Sequence, residues 1–187
     1  KKATQKNTKA FFLESPTNPT LEVIDIAAVA EIAHGVGAKL VVDNVFATPL
    51  YQSPLKLGAD CVVYSATKHI DCQGRVLGGI MLGSEKLILD HYHQILRQTG
   101  PSLSPFNAWV MLKSLETLPI RVKAQCETAA RLADHMAKLP GMAKVMYCRA
   151  FRPLLPITQA SVGNGYTPMS SCCSWRTSAS DDQFTYS

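Results

Sequence analysis

The stretch Ser65-Ala66-Thr67-Lys68-His69-Ile70-Asp71 immediately follows the apolar run Cys61-Val62-Val63-Tyr64. A continuous apolar run of this length is typical of a strand buried on both faces. Lys68 is therefore predicted to lie just beyond the end of a buried strand. A lysine there can form an imine, and an enclosed site favours the neutral amine that this reaction needs. The Ser65 and Thr67 hydroxyls, together with the backbone N–H groups of a tight turn, are suitable phosphate ligands.

The segments before and after this stretch alternate between strand and helix patterns. Strands are predicted at residues 10–13, 39–42, 61–64 and 79–82. Asp25 can cap a helix that runs to about His34. Apolar residues recur at helical spacing within it, at Ile26, Val29, Ala30 and Ala33. Such alternation indicates an α/β domain with a largely parallel sheet.

Polar residues follow three of the predicted strands. Asn18 comes after the first strand, Asp43 ends the second, and Ser65 and Lys68 follow the third. Because ligands bind beyond the carboxyl ends of parallel strands, we expect these residues to form one site. Asp43 can bind a protonated pyridine nitrogen, and Asn18 can donate to a phenolic oxygen. The set suggests pyridoxal phosphate, although each residue alone is also explained as a turn former or a cap.

Composition excludes several other classes of function. The chain has 187 residues and a net charge of +5. Its one basic cluster consists of Lys1, Lys2, Lys6 and Lys9. We interpret this cluster as a solvated terminus rather than a nucleic-acid arm. The sequence contains no run of about eighteen apolar residues, so no membrane span is predicted. The six cysteines contain no C-x-x-C pair, so neither zinc nor a disulfide framework is expected, and a reducing cytoplasm fits best. His91 and His93 are expected at the surface rather than on a metal, because i and i+2 diverge on a helix.

The second half of the chain is predominantly helical until its pattern ends. Helices are predicted at 106–115 and from Pro119 to the stop at Pro140-Gly141. The long second helix is expected to lead into another domain. Beyond about Cys148 no period is sustained, and we expect this tail to be disordered.

Three stretches together resemble the Cys/Met-metabolism (trans-sulfuration) family of pyridoxal-phosphate enzymes. They are Glu14-Ser15-Pro16-Thr17-Asn18-Pro19, Val42-Asp43-Asn44-Val45-Phe46-Ala47-Thr48-Pro49 and the stretch 65–71. They have the family's order and spacing, and the resemblance extends from about Thr8 to Tyr147. Within the family, residues 71–75 and 112–119 are most similar to the O-succinylhomoserine sulfhydrylases. The resemblance implies a partial fold-type-I large domain at 1–115, a linking helix and the start of a truncated C-terminal domain at 116–147, and a non-family tail at 148–187.

The resemblance also implies a role for each motif residue. Lys68 would hold the cofactor covalently and then move protons at the α and β carbons of the substrate. Asp43 would keep the pyridine nitrogen protonated, and Asn18 would hydrogen-bond the phenolic oxygen. Ser65 and Thr67 would bind the phosphate. The implied reaction is a γ-replacement in methionine biosynthesis, in which sulfide displaces succinate from O-succinylhomoserine to give homocysteine, and the implied assembly is a homotetramer.

Two alternatives stay open at this point. A sister activity, cystathionine γ-synthase or a γ- or β-lyase, would use the same residues, because these bind the cofactor and not the leaving group. A second alternative, of another class, is a cofactor-binding fragment without turnover, since the family's other cofactor contacts and its substrate-carboxylate arginine belong to segments that are not in this sequence.

The sequence departs from the family at two places. Cys72 stands where the family usually has glycine, which is expected to strain the turn after Lys68. After Tyr147 the likeness and the periodicity stop together, as a reading-frame shift would produce. Arg149, Arg152 and Arg176 match no family motif and are assigned no role.

Overall fold

The computed structural model describes residues 3–142 and 144–148. The prediction of a disordered or frame-shifted tail concerns residues beyond Cys148, which lie outside the described part of the chain.

A four-stranded mixed sheet forms the centre of the fold. Its strands are β1 (Ala10–Glu14), β2 (Lys39–Asp43), β3 (Cys61–Ser65) and β4 (Gly79–Gly83), in the order β1-β2-β3-β4. The first three strands are parallel, as predicted, whereas β4 pairs with β3 in the antiparallel sense. A parallel return needs a crossover, usually helical. The connection at 66–78 contains no helix, so the chain reverses its direction there.

The first helix confirms the predicted cap and burial pattern. Helix α1 (Ile26–His34) begins after Asp25, whose side chain accepts a hydrogen bond from Ala28 N at 3.0 Å. Two short elements follow β2 that the sequence pattern did not predict, α2 (Thr48–Tyr51) and a 3-10 turn (Pro54–Leu57). Each has a proline in its first turn, where the missing N–H costs nothing.

Helical structure dominates after β4. One continuous helical segment comprises α3 (Glu85–Leu87), a π-helical stretch (Ile88–His93) and α4 (Gln94–Thr99), and it ends at Gly100 in the left-handed conformation. Helices α5 (Pro105–Leu115) and α6 (Leu118–Met136) begin within one residue of their predicted starts. None of the helices described is long and apolar enough to cross a membrane. His91 and His93 are exposed, and the described residues contain no group of three potential metal ligands.

The hydrophobic core joins the sheet to the turn that carries Lys68. Leu40, Val42 and Val62 are fully buried in the two central strands. Ala66 and Ile70, on either side of Lys68, belong to the same buried cluster, which also includes residues of α1 and α5. The backbone around Lys68 is thus anchored in the core.

Candidate active site

Three polar segments meet at the carboxyl edge of the parallel strands. Asp43, the last residue of β2, pairs with Glu14 at the end of β1 and with Val63 of β3. The turn that contains Asn18 follows β1, and the turn that contains Lys68 follows β3. The structure therefore brings the predicted site residues to one edge of the sheet, as expected for ligand sites in such sheets.

Lys68 lies at the tip of a tightly hydrogen-bonded turn. Its backbone N–H donates to Ser65 O at 3.2 Å, and its carbonyl accepts from Cys72 N at 2.7 Å. Across the turn, Asp71 N donates to Ala66 O at 2.8 Å. The Lys68 side chain is exposed while its neighbour Ala66 is buried. Three backbone hydrogen bonds thus close the turn, and Lys68 is exposed on it.

The hydroxyls of Ser65 and Thr67 flank the base of this turn. Both residues are half-buried. Thr67 Oγ1 accepts a hydrogen bond from Gly78 N at 3.3 Å, which orients the hydroxyl and leaves its proton available to donate. A cavity of about 10 Å³, lined by Ser65, Tyr64 and His69 among others, has room for one water molecule at most.

Asp43 and Asn18 are held by short-range contacts. Asp43 is half-buried, and its Oδ1 accepts from Val45 N at 3.0 Å, which directs the carboxylate from the strand end. The Asn18 backbone N–H donates to Glu14 Oε2 at 2.9 Å, while its side chain is exposed. Both carboxylate and carboxamide retain polar atoms with which they can bind a ligand.

A buried network of side-chain amides, which begins at the residue after Asp43, was not predicted from the sequence. Asn44 Nδ2 lies within hydrogen-bond distance of Thr48 O, Gln52 O and Tyr64 Oη, at 3.2, 3.0 and 2.9 Å. Gln52 Nε2 donates to Ser15 O at 2.8 Å and to Asn44 Oδ1 at 2.7 Å. Burial raises the pKa of Tyr64 and outweighs the opposing hydrogen bond from Asn44. The one signal in the sequence was an amide placed directly after a buried strand.

Two arginines that contact the Lys68 turn, Arg75 and Arg121, were also not predicted from the sequence as site residues. Asp71 is fully buried and forms an ion pair with Arg75, in which Nε donates to Oδ1 at 2.9 Å. Burial alone would raise the pKa of Asp71, but the hydrogen bonds from Arg75 outweigh it, and the pKa is lowered. Arg121, from α6, donates to the carbonyls of His69 and Ile70. Arg75 lies four positions after its partner Asp71, whereas the carbonyls that Arg121 contacts are more than 50 positions away in the sequence.

The backbone of Cys72 has the strained conformation that was predicted from the sequence. Its φ is 64°, in the left-handed region where glycine carries no penalty. Its Sγ accepts a hydrogen bond from Gln125 Nε2 at 3.1 Å. The Cys72 side chain is thus in contact with α6.

Comparison with known protein sequences gives a consistent set of relatives. A family model described as Cys/Met metabolism PLP-dependent enzyme matches residues 1–152. The O-succinylhomoserine sulfhydrylase of Pseudomonas aeruginosa is 54% identical over 145 residues, which cover 78% of this chain and 36% of that protein. The protein of the same name from Mycobacterium tuberculosis is 52% identical over 149 residues, or 80% of this chain and 36% of that one. Cystathionine gamma-lyase of Bacillus subtilis is 37% identical over 146 residues, or 78% and 38%.

Solved structures give the same result at the level of the fold. A structure described as metB from Corynebacterium glutamicum superposes with a TM-score of 0.75 at 38% identity, over 78% of this chain and 38% of that one. Cystathionine gamma-lyase from Lactobacillus plantarum superposes with a TM-score of 0.74 at 32% identity, over 77% and 38%. The chain spans little more than a third of the length of the relatives it matches.

Proposed function

Because this chain belongs to the Cys/Met metabolism PLP-dependent enzymes, we propose that it is part of an enzyme that replaces the succinate of O-succinylhomoserine with sulfide. Enzymes of this family use pyridoxal phosphate, and the chain carries part of their fold-type-I large domain. The specific reaction is supported by identity of 54% and 52% to two O-succinylhomoserine sulfhydrylases, against 37% to a γ-lyase and 37% to a β-lyase. The products would be homocysteine and succinate.

The residues at the sheet edge fit a phosphorylated pyridine aldehyde. An exposed amine (Lys68), two hydroxyls at the base of its turn (Ser65 and Thr67) and a carboxylate one strand away (Asp43) are the groups that such a molecule needs. The Lys68 amine would condense with the aldehyde, whose oxygen would leave as water, and the two hydroxyls would donate to the phosphate oxygens. This donor set at one edge is the observation that carries the proposal.

Lys68 would serve two purposes in turn. When bound, the cofactor withdraws electrons from the substrate's α carbon, which makes proton loss there possible. Once the substrate amine has displaced it, the Lys68 amine would accept that α proton and return a proton later in the reaction. Its exposed place at the tip of a hydrogen-bonded turn gives it the reach for both tasks.

Asp43 and Asn18 would fix the orientation of the ring. Val45 N holds one oxygen of the Asp43 carboxylate, and the carboxylate would accept a hydrogen bond from the protonated pyridine nitrogen. The Asn18 carboxamide, in the turn after β1, would donate a hydrogen bond to the phenolic oxygen of the cofactor. The charge on Asp43 would keep that nitrogen protonated and so strengthen electron withdrawal.

The proposal extends to compartment and assembly. We propose a reducing cytoplasm as the compartment, since the scattered cysteines of the sequence suggest no disulfide framework. On the basis of the family alone, we propose that the full-length protein assembles into homotetramers. We propose an amino acid as its substrate and sulfide as its co-substrate.

Cofactor capture tests the first half of the proposal. The purified chain is incubated with pyridoxal phosphate, reduced with borohydride, digested and mapped for the modified lysine by mass spectrometry. We expect the label at Lys68 and its loss in Lys68→Ala, with Lys86→Ala, an exposed lysine on α3, as the matched control. A label spread evenly over the surface lysines would contradict the proposed anchor.

Product analysis tests the reaction itself. The loaded chain receives O-succinylhomoserine with sulfide, with cysteine, or with neither. Homocysteine formed with sulfide supports the sulfhydrylase. Cystathionine formed with cysteine alone would identify the synthase. A keto acid with ammonia, formed at the same rate whether or not sulfide is present, would identify a γ-lyase. Either result would replace the proposed reaction with a sister one.

A further inference from the structure

We propose that Arg121 is a positioning residue for Lys68, because its guanidinium holds the Lys68 turn against the start of α6. The inference rests on the proposed function, in which Lys68 is the cofactor anchor.

The guanidinium of Arg121 joins three segments of the chain. Its Nη1 donates to His69 O at 2.9 Å, and its Nη2 donates to Ile70 O at 3.0 Å. Nη2 also donates to Ser114 O at 2.8 Å, and Nε donates to Thr117 Oγ1 at 3.0 Å. A single planar group thus ties the two peptide units after Lys68 to the end of α5 and to the residue before α6.

A second arginine holds the other end of the same turn. Arg75 donates to Asp71 from both its backbone N and its Nε, at 2.7 and 2.9 Å. Its Nη2 donates to Ser114 Oγ at 2.6 Å, so Ser114 receives hydrogen bonds from both arginines. Residues 69–71 are thus connected to α6 through Arg121 and to α5 through Arg75 and Ser114.

This arrangement bears on Lys68 through the backbone. His69 and Ile70 are buried, and Lys68 is the exposed residue directly before them. A displacement of the His69 and Ile70 carbonyls would shift the lysine amine, and a misplacement of about 1 Å can cost on the order of 100-fold in rate. Lysine cannot replace Arg121, because its point charge lacks the planar fork that reaches two carbonyls together.

The test compares Arg121→Lys and Arg121→Gln with Arg131→Gln, an exposed arginine on the same helix. Each full chain is labelled with pyridoxal phosphate and borohydride, and the label at Lys68 is divided by the label at Lys86 in the same molecule. We expect the ratio to fall at least about 10-fold in both Arg121 variants and to stay unchanged in Arg131→Gln. Unfolding would also lower this ratio, because both lysines are equally accessible in an unfolded chain, so circular dichroism under the labelling conditions establishes that each variant is folded.

The outcomes separate the two proposals. Selective labelling of Lys68 in the parent chain and, equally, in folded Arg121 variants would overturn the positioning role and leave the proposed function intact. Failure of both Arg121 variants to fold would also overturn it, since Arg121 would then serve folding. Absence of selective labelling in the parent chain would instead contradict the proposed function.

Discussion

Gln52 and Asn44 hydrogen-bond to each other in the interior, where Gln52 Nε2 donates to Asn44 Oδ1 at 2.7 Å. Both side chains are buried. The same Gln52 nitrogen reaches Ser15 O at 2.8 Å, at the start of the turn that carries Asn18. One side chain therefore joins the residue after β1 to the residue after Asp43.

Replacement of Gln52 should destabilise the fold. Gln52→Leu removes both hydrogen bonds and leaves Ser15 O and Asn44 Oδ1 without this donor in a buried setting, which typically costs about 1–3 kcal/mol. We expect the free energy of unfolding, measured in urea, to fall by about 2 kcal/mol. Gln98→Leu, at an exposed position of α4, is the matched control and should stay within about 0.5 kcal/mol. An equal effect of the two substitutions would argue against the network.

Replacement of Cys72 by glycine should stabilise the chain. The left-handed φ of Cys72 lowers the free energy of unfolding by roughly 1–2 kcal/mol. Glycine removes this strain, but the greater entropy that it gives to the unfolded chain lowers the free energy of unfolding by about 0.4–1 kcal/mol. We expect a net gain of roughly 0.5–1 kcal/mol in urea unfolding, reduced by whatever the Gln125 hydrogen bond contributes. Cys126→Gly, in the interior of α6, should have the opposite sign. A loss of stability in Cys72→Gly would show that the thiol contact outweighs the backbone strain.

Stability should depend on pH through Asp60. Burial alone would raise its pKa, but hydrogen bonds from Lys39, the Leu40 N–H and His34 lower it from 3.8 to about 2. Because the folded pKa is depressed, this stabilisation is fully present above about pH 4 and is lost as the pH falls towards 2. We expect it to contribute at most about 2 kcal/mol.

The measurement for Asp60 is urea unfolding between pH 6 and pH 2. The difference between the parent chain and Asp60→Asn should shrink as the pH falls below about 4. Asp90→Asn, which removes an exposed ion pair with Lys86, should change stability by less than about 1 kcal/mol throughout. A difference for Asp60→Asn that stays constant with pH would contradict the assignment.

Removal of the hydroxyls near Lys68 should affect phosphate recognition selectively. Ser65→Ala or Thr67→Val should weaken the binding of pyridoxal phosphate by at least about 10-fold, because a hydrogen bond to a charged group contributes about 1.5–3 kcal/mol. Binding of pyridoxal, which lacks the phosphate, should change little. Absorbance titrations with both compounds give the comparison, and Thr99→Val, at the far end of α4, serves as control. Equal weakening for both compounds would show a general disturbance of the turn.

The local elements were largely predictable because their signals are local. The cap at Asp25, the apolar runs of β2 and β3, and the period of α6 each depend on residues within a few positions of one another. The direction of β4 was not evident in its own sequence, since it depends on a helix-free connection. The short α2 and the 3-10 turn were missed because each spans about one turn, too short for a period to appear.

The sequence by itself determined the stretch 65–71, the polar residues at the strand ends and the family to which they point. Parallel pairing of three consecutive strands was enough to expect Asn18, Asp43 and Lys68 at one edge. Only the tertiary structure decided what holds that edge together. Gln52 meets Ser15 across 37 positions, and Arg121 meets His69 across 52. Such contacts depend on how the packed core brings distant segments together, and a periodic pattern does not encode them.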